Sequence, residues 1–139
     1  MNYPVPIVRM IVTNNENKVL VLNRQNSAYA SGRWCLPGGK VNYGETIAEA
    51  VQAELKEETG LRCTRSTFLF YQDSLPTAPG KMHGINLYFD CRVSGSVVLN
   101  DESCDYAWIG PSDLERYALV FLNDQALERY WGHANGGPA

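Results

Sequence analysis

Three glutamates near the middle of the chain have the spacing and the chemistry of a metal site. They are Glu54, Glu57 and Glu58. On a helix, positions three and four apart are surface neighbours, so the three carboxylates fall within one arc of roughly 100°. Like charges at this spacing repel each other, and Mg²⁺ or Mn²⁺ would offset the repulsion because both ions favour oxygen ligands. The alternative is a solvated acidic face with no ligand, which is the commoner origin of such a run.

The residues on either side of the glutamates indicate a helix with defined ends. Thr46 and Glu49 have the spacing of a capping box, and Gly60 stands where a left-handed C-cap residue belongs. Upstream, an apolar run ends at Gly38 and Gly39, and consecutive glycines let the backbone approach a ligand closely. A strand, a glycine loop and a capped acidic helix therefore form one local unit. The stripe that should face the core consists of Ala48, Val51, Leu55 and Thr59.

The segment from Gly39 to Leu61 resembles the Nudix box. That pattern reads G-x5-E-x7-R-E-U-x-E-E-x-G-U, where U is a bulky aliphatic residue. Every fixed position matches except one, because Ala53 stands where the pattern has arginine. The length of the chain and the pattern around the box also resemble a whole single-domain Nudix hydrolase.

The resemblance implies a fold, a reaction and a cofactor. The implied fold is α+β, an α/β/α sandwich in which a mixed β-sheet lies between helices. The implied reaction is metal-dependent hydrolysis of a diphosphate bond in a small-molecule nucleoside diphosphate derivative. A nucleotide sugar such as ADP-ribose or GDP-mannose and a nucleoside triphosphate both stay open as substrates. The implied cofactor is Mg²⁺, with Mn²⁺ as the substitute.

The box and its flanks also supply the candidate site residues. The catalytic candidates are Glu54, Glu57 and Glu58. The metal-ligand candidates are Gly39, Glu54, Glu57, Glu58 and Glu102, the last because similar proteins often carry a carboxylate outside the box at this place. The substrate-binding candidates are Arg24, Gly38, Gly39 and Lys40. The base that activates water stays open among Glu54, Glu57 and Glu102. Contacts to the nucleobase are expected from the aromatic residues Tyr29, Phe70, Tyr71 or Tyr88.

Ala53 is the departure from the box that bears on activity. An arginine there would lie four residues from both Glu49 and Glu57 and would hold a carboxylate in one rotamer. Alanine keeps the helix but removes that bond. We expect metal binding to survive. Slower turnover and a non-catalytic nucleotide-binding module both stay open.

Composition limits the class of protein. The chain has 139 residues, a net charge of −3 and no basic run, which argues against DNA as a partner and against a track for RNA 5′ ends. No membrane-spanning run or targeting segment is visible, and four cysteines without C-x-x-C spacing indicate reduced thiols in a cytoplasmic protein. We expect one domain over residues 1–132 and a flexible tail over 133–139. Monomer and homodimer both stay open.

The rest of the sequence supplies the elements that must hold this unit. Two β-branched runs, 6–13 and 18–23, flank a turn-forming segment and predict an antiparallel hairpin. Further strands are expected at 33–36, 66–75, 83–93 and 105–109, with a last helix from 123 or 124 to 131. Polar loops at 25–32 and 76–81 are placed to contact a substrate. This order allows helices to cover both faces of a mixed sheet.

Overall fold

A computed structural model describes residues 3–25 and 32–134. Within these residues the chain forms seven strands and three helices. The strands are β1 (Val5–Val12), β2 (Val19–Arg24), β3 (Trp34–Cys35), β4 (Gly38–Lys40), β5 (Arg62–Ser74), β6 (Gly84–Ser94) and β7 (Ser103–Ile109). The helices are α1 (Ile47–Thr59), α2 (Leu114–Tyr117) and α3 (Asn123–Ala134), with a 3-10 turn at Pro111–Asp113 before α2. Helix α3 therefore extends into the segment expected to be a tail from residue 133.

The strands form two sheets. One has the order β4-β1-β6-β5, with β1 parallel to β6 and the other pairs antiparallel, and the second has the antiparallel order β3-β2-β7. The predicted β1–β2 hairpin is wrong, because a single bridge between Thr13 and Val19 is the pairing that joins these strands in the described structure. Both edges of β1 are already occupied by β4 and β6. The turn itself forms, since Asn14 Oδ1 accepts hydrogen bonds from the N–H groups of Glu16 and Lys18.

Strand β1 is covered on both faces. The core on the α1 side contains Val8, Met10, Val12, Ala50, Val51 and Leu55. The core on the α3 side contains Ile11, Phe70, Tyr88, Leu127 and Trp131. Because side chains alternate across a strand, a strand buried on both faces needs a nearly continuous apolar run. The α+β fold with a mixed sheet between helices is confirmed.

Helix α1 has the ends that the sequence predicts. The Thr46 hydroxyl accepts the N–H of Glu49 at 3.1 Å, and the Glu49 carboxylate accepts the N–H of Thr46 at 3.0 Å. At the other end, Gly60 has a φ of 72° and donates its N–H to the carbonyl of Lys56. These two caps fix the register of the helix, so the directions in which its glutamates point are fixed as well.

The buried face of α1 differs from the expected stripe at one position. Ala48 is exposed, whereas Ala50 is fully buried. Ala50 precedes Glu54 by four residues and Glu58 by eight, so the three share one side of the helix. That side packs against the sheet, and Glu54 and Glu58 are partly buried for this reason.

Other features bear on the class of protein. No helix within the described ranges is long and apolar enough to cross a membrane. All four cysteines are free thiols, and of these Cys104 is exposed while the other three are buried.

Candidate functional site

Glu54 packs directly against the backbone of β4. The expected glycine loop is in fact extended, with Gly38 and Gly39 paired to Arg9 and Val8 of β1. A Cβ placed on Gly39 would lie 2.3 Å from Glu54 Cδ, a separation that real Cβ atoms essentially never show. An added side chain would therefore displace the carboxyl group of Glu54, which lies against the strand itself.

Glu58 binds the same strand through a hydrogen bond. Its Oε1 accepts the N–H of Gly38 at 3.2 Å. A Cβ on Gly38 would lie 2.4 Å from the carbonyl oxygen of Val8 and 2.9 Å from Cδ of Arg9. Gly39 thus lets the carboxylate of Glu54 approach β4 closely, and Gly38 lets β1 approach β4 closely.

Burial and like charge raise the pKa values of both glutamates. Desolvation raises the pKa of Glu54 to about 7, and the charges of Glu57 and Glu102 add to this. Desolvation also raises the pKa of Glu58 to about 8, against the opposing effect of the hydrogen bond from Gly38. Carboxylates held together in this way favour a bound cation, because a cation removes the repulsion that raises their pKa values.

Glu102 comes close to the helix from outside it. It lies just before β7, and its carbonyl accepts the N–H of Gln25 at 2.8 Å, so the end of β2 holds this segment. Its charge acts on both Glu54 and Glu58. Glu57 and Glu102 are both exposed. The structure therefore gathers the predicted acidic residues at one place, with two of them packed on β4 and two facing outward.

The donor set suits a hard divalent cation. In the part of the chain that the structure describes, no three His, Cys, Asp or Glu side chains are arranged so that they alone could hold a metal ion. Mg²⁺ does not need such a cage, because it keeps several waters and binds through one or two carboxylates together with substrate phosphates. Glu54 and Glu58 supply that number of carboxylates, so the residues present fit such an ion.

The substrate-binding candidates lie in two different places. Arg24 ends β2, and its Cζ lies 5.0 Å from the centre of the Phe121 ring. Lys40 ends β4 and lines a groove of about 610 Å³ together with residues 76–83, which include the loop expected to contact a substrate. The remaining candidates, Gly38 and Gly39, belong to β4 beside the glutamates.

The aromatic candidates for nucleobase contacts are mainly packing residues. Phe70 and Tyr88 are buried, with ring centres 5.2 Å apart in the core beneath α3. Tyr88 is fully buried and therefore has no open face for a base, whereas Phe70 is almost buried and Arg129 lies over its ring. Tyr71 is exposed, and Tyr29 lies outside the described residues, as does most of the polar loop that follows Arg24.

Arg9 lies near the site but is not among the substrate-binding candidates predicted from the sequence, where a surface position was the alternative. It is 9% exposed in the middle of β1, and its Nε donates to Asn86 Oδ1 at 3.3 Å. Its Cζ lies 4.9 Å from the centre of the Phe121 ring. The signal that could have found it is a charged residue inside an apolar strand, since a buried arginine is rare unless it has partners.

Ala53 lies on the exposed side of α1. It lines a shallow groove of about 550 Å³ whose other residues include Glu49, Lys56 and Arg62. Lys56 comes from the same helix and Arg62 from β5. Positive charge therefore reaches the neighbourhood of position 53 from a second element, although no arginine stands in the helix itself.

Comparison with known proteins gives a family match and several similar structures. A family model described as NUDIX domain matches residues 4–130. Nucleoside triphosphatase NudI from Escherichia coli O139:H28 is 35% identical over 130 residues, which cover 87% of this chain and 92% of the relative. The crystal structure of a MutT protein from Methanosarcina mazei Go1 has a TM-score of 0.83 at 26% identity, covering 96% of each chain. The NUDIX domain of Shewanella oneidensis NrtR, solved with ADP ribose, has a TM-score of 0.78 at 18% identity, covering 96% of this chain and 90% of that one, which is a likeness of fold.

Replacing Gly39 with alanine should displace the carboxyl group of Glu54. We expect the affinity for Mn²⁺, measured by calorimetry, to fall at least about tenfold, which corresponds to about 1.4 kcal/mol. Gly132→Ala in α3 is the matched control, because nothing lies within 4 Å of the added carbon. Wild-type Mn²⁺ affinity in Gly39→Ala would contradict a role for this contact in metal binding.

The stability of the metal-free protein should depend on pH through Glu54 and Glu58. In the folded state the pKa of Glu54 is raised from 4.5 to about 7 and that of Glu58 from 4.5 to about 8. The folded state therefore holds more protons than the unfolded state between pH 4.5 and about 8. The free energy of unfolding in EDTA should therefore be highest near pH 5 and fall by roughly 1 to 3 kcal/mol by pH 9. Urea titrations across this range measure the change.

The matched variants for this measurement are Glu58→Gln and Glu115→Gln. The first should flatten the pH dependence, whereas the second removes an exposed acid of α2 and should not. A free energy of unfolding that rises from pH 6 to pH 9 would contradict the raised pKa values.

Proposed function

The chain belongs to the Nudix family of pyrophosphohydrolases, and from that premise we propose that it hydrolyses the phosphoanhydride of a nucleoside triphosphate with a divalent cation as cofactor. The observation that carries this proposal is the packing of Glu54 and Glu58 against the glycine strand. The similarity to a nucleoside triphosphatase along most of both chains favours a triphosphate among the substrates that the sequence leaves open. Nucleotide sugars such as ADP-ribose or GDP-mannose are the next substrates to test.

Mg²⁺ is the proposed cofactor, with Mn²⁺ as the substitute. The proposed carboxylate ligands are Glu54 and Glu58, and Gly39, Glu57 and Glu102 are the further candidates. A cation bound there supplies neutralisation of phosphate charge and orientation of the attacking water. Glu54 is the residue we assign to accept the proton of that water, because its carboxyl group is held against β4 beside the other carboxylates. Glu57 and Glu102 are the alternatives for this role.

The remaining candidates are the substrate-binding residues, and their contribution depends on where they lie relative to β4. Gly38 and Gly39 keep β4 free of side chains where β1 and Glu54 pack against it, which keeps the glutamates close to the strand. Arg24 at the end of β2 and Lys40 at the end of β4 supply positive charge. In a protein of net charge −3, these local cations would attract a polyanionic substrate that the molecule as a whole repels.

A non-catalytic nucleotide-binding module is the second candidate function. The observation that favours it is Ala53, which lacks the side chain that would fix a box carboxylate in one rotamer. Against it stand the intact glutamates and the positive charge of Lys56 and Arg62 near position 53. Both candidate functions predict binding of metal and nucleotide, so a measurement of turnover is needed to distinguish them.

The family match and the composition bear on the domain, the location and the partners of the protein. We infer one domain that includes α3 to Ala134 rather than ending at residue 132, a cytoplasmic location, and small molecules rather than DNA as partners. The support is the family match over residues 4–130, the four free thiols and the absence of a basic run.

Turnover of a nucleotide panel tests the proposed function. We expect phosphate release from nucleoside triphosphates with Mg²⁺ and a coupled pyrophosphatase, and no release in EDTA. Glu57→Gln should lower turnover at least about 100-fold, since even residues that only support metal ligands cost about 10- to 100-fold. Glu115→Gln is the control for loss of an exposed carboxylate. Turnover that persists in EDTA, or in Glu57→Gln at the wild-type rate, would refute the metal assignment.

Introducing arginine at position 53 tests whether alanine there, in place of the arginine of the Nudix box, affects turnover. Ala53 is exposed and borders an open groove, so Ala53→Arg should fold with a free energy of unfolding within about 0.5 kcal/mol of wild type. We expect turnover to stay equal or rise, because the guanidinium can bind Glu57 or Glu49. Ala53→Gln, which adds length without charge, should leave turnover unchanged. A fall in turnover specific to arginine would show that the site is adapted to alanine.

A further inference from the structure

Strand β5 is an edge strand whose outer side has no partner strand among the described residues. It stands at the end of the order β4-β1-β6-β5 and pairs with β6 from Arg62 to Ser74. Between residues 66 and 74, no backbone group of β5 hydrogen-bonds to a loop or a turn of the described chain. An edge of this kind presents a row of free N–H and C=O groups, which is a template for another extended chain.

Helix α3 flanks this edge and leaves a groove beside it. Residues 69–73 of β5 line a cleft of about 580 Å³ together with Gln125, Ala126 and Arg129 of α3. Gln125 and Arg129 are four residues apart, so they share one face of the helix. Cζ of Arg129 lies 4.2 Å from the centre of the Phe70 ring, and this contact holds the guanidinium over the strand. The groove therefore combines a free backbone edge with a cation held beside it.

The side of β5 that faces α3 carries further positive charge. Arg65 and Arg92 lie directly opposite each other on β5 and β6, and Arg92 shares a face of β6 with Tyr88, which packs beneath α3. Both arginines are exposed, and neither forms an ion pair within residues 3–25 and 32–134. The nearby carboxylate of Asp90 accepts the hydroxyl of Tyr130 instead. Like charges directly opposite each other destabilise a sheet, and an anionic partner would offset this cost.

The opposite side of β5 carries exposed aromatic rings. Phe68 is 53% exposed and Tyr71 is 61% exposed. Their partners on β6 are Phe89 and Leu87, and Phe89 packs against the core beneath α1. The two faces of one edge strand therefore differ in chemistry, with arginines on the α3 side and aromatic rings on the α1 side. Because side chains alternate along a strand, an added strand would present one set of side chains to each face.

We propose that the outer edge of β5 binds an extended peptide of a partner protein in which acidic side chains alternate with apolar ones. The backbone of the peptide pairs with β5, its acidic side chains meet the arginines, and its apolar side chains meet Phe68 and Tyr71. The strand against which the glutamates pack, β4, is the other edge of the same sheet, so this surface is separate from the candidate metal site.

Two observations favour a peptide over a second copy of the chain. Antiparallel pairing of β5 with β5 of a second copy would place arginines of both copies on the same side of one sheet, where they repel each other. The pairing of β5 with β6 also shifts register between Cys63 and Arg65 and between Phe68 and Phe70. A rigid second sheet fits such bulges poorly, whereas a short peptide can follow them.

Synthetic peptides test the pattern that the edge requires. A labelled peptide of about eight residues, in which glutamate and valine alternate, should bind the protein in a fluorescence anisotropy titration. A peptide of the same composition, with its glutamates in one block and its valines in another, should bind at least about tenfold more weakly. An alternating peptide with methyl groups on every second backbone nitrogen keeps the charges but loses N–H donors, so it should also bind more weakly. Equal affinity for all three peptides overturns the proposal.

Arginine variants test the face that meets the acidic side chains. Arg65→Gln and Arg129→Gln should each weaken binding of the alternating peptide at least about threefold, and the double variant at least about tenfold, because each removes a cation. Both residues are exposed, so these variants should fold. Arg116→Gln is the matched control, because it removes an exposed arginine of α2 and should leave the affinity unchanged. Wild-type affinity in the double variant overturns the proposal.

Hydrogen exchange locates the bound peptide. Saturating alternating peptide should slow exchange of backbone amides within residues 66–74, because pairing protects the outward N–H groups of β5. Binding that leaves these amides unprotected shows contact through charge alone and overturns pairing at the edge.

Two further outcomes assign the surface to a different partner. A dimer of the free protein in sedimentation equilibrium that Tyr71→Ser dissociates would assign the edge to a second copy and overturn the proposal. Binding of oligouridylate that depends on Arg65 and Arg129 and is tighter than binding of the peptide would assign the arginines to nucleic acid, with the same consequence.

Discussion

The contact between the Glu54 carboxyl group and the backbone of Gly39 is the constraint on which the site depends. It requires that α1 begin and end at fixed residues, because a shift of one residue would rotate Glu54 by about 100° away from β4. The capping box at Thr46 and the left-handed Gly60 supply that register. The contact also requires β4 to be paired to β1 and to carry no side chain at position 39. The site is thus built from regular elements rather than from a long loop.

Opposite charges are kept apart on the two sides of β1 and β4. The glutamates of α1 approach one side, and Arg9 lies on the other among buried polar partners. If the arginine and the glutamates formed direct ion pairs, each would lower the other's capacity to bind a ligand. Burial is the main cause of the raised pKa values of Glu54 and Glu58, and the hydrogen bond from Gly38 and the charge of Arg9 offset it only in part at Glu58.

The effect of having alanine instead of arginine at position 53 depends on neighbouring residues, one of which lies outside helix α1. Glu49 already forms the capping box, so one of the two carboxylates beside position 53 has a partner. Arg62 from β5 and Lys56 line the same groove. Alanine at this position therefore removes one bond without leaving the acidic face devoid of positive charge, and it keeps the propensity of the helix high.

The sequence by itself determined α1, its two caps and the three glutamates on its face. All of these depend on residues a few positions apart, so spacing alone fixes them. Only the tertiary structure decided that β1 and β2 join different sheets, because that depends on which strands compete for the edges of β1. It alone turned Ala50 and Glu54 toward the sheet, buried Phe70 and Tyr88, and brought Arg9 to Arg24 and Phe121. These contacts join residues far apart in the chain, and side-chain chemistry does not specify them until the sheets are assembled.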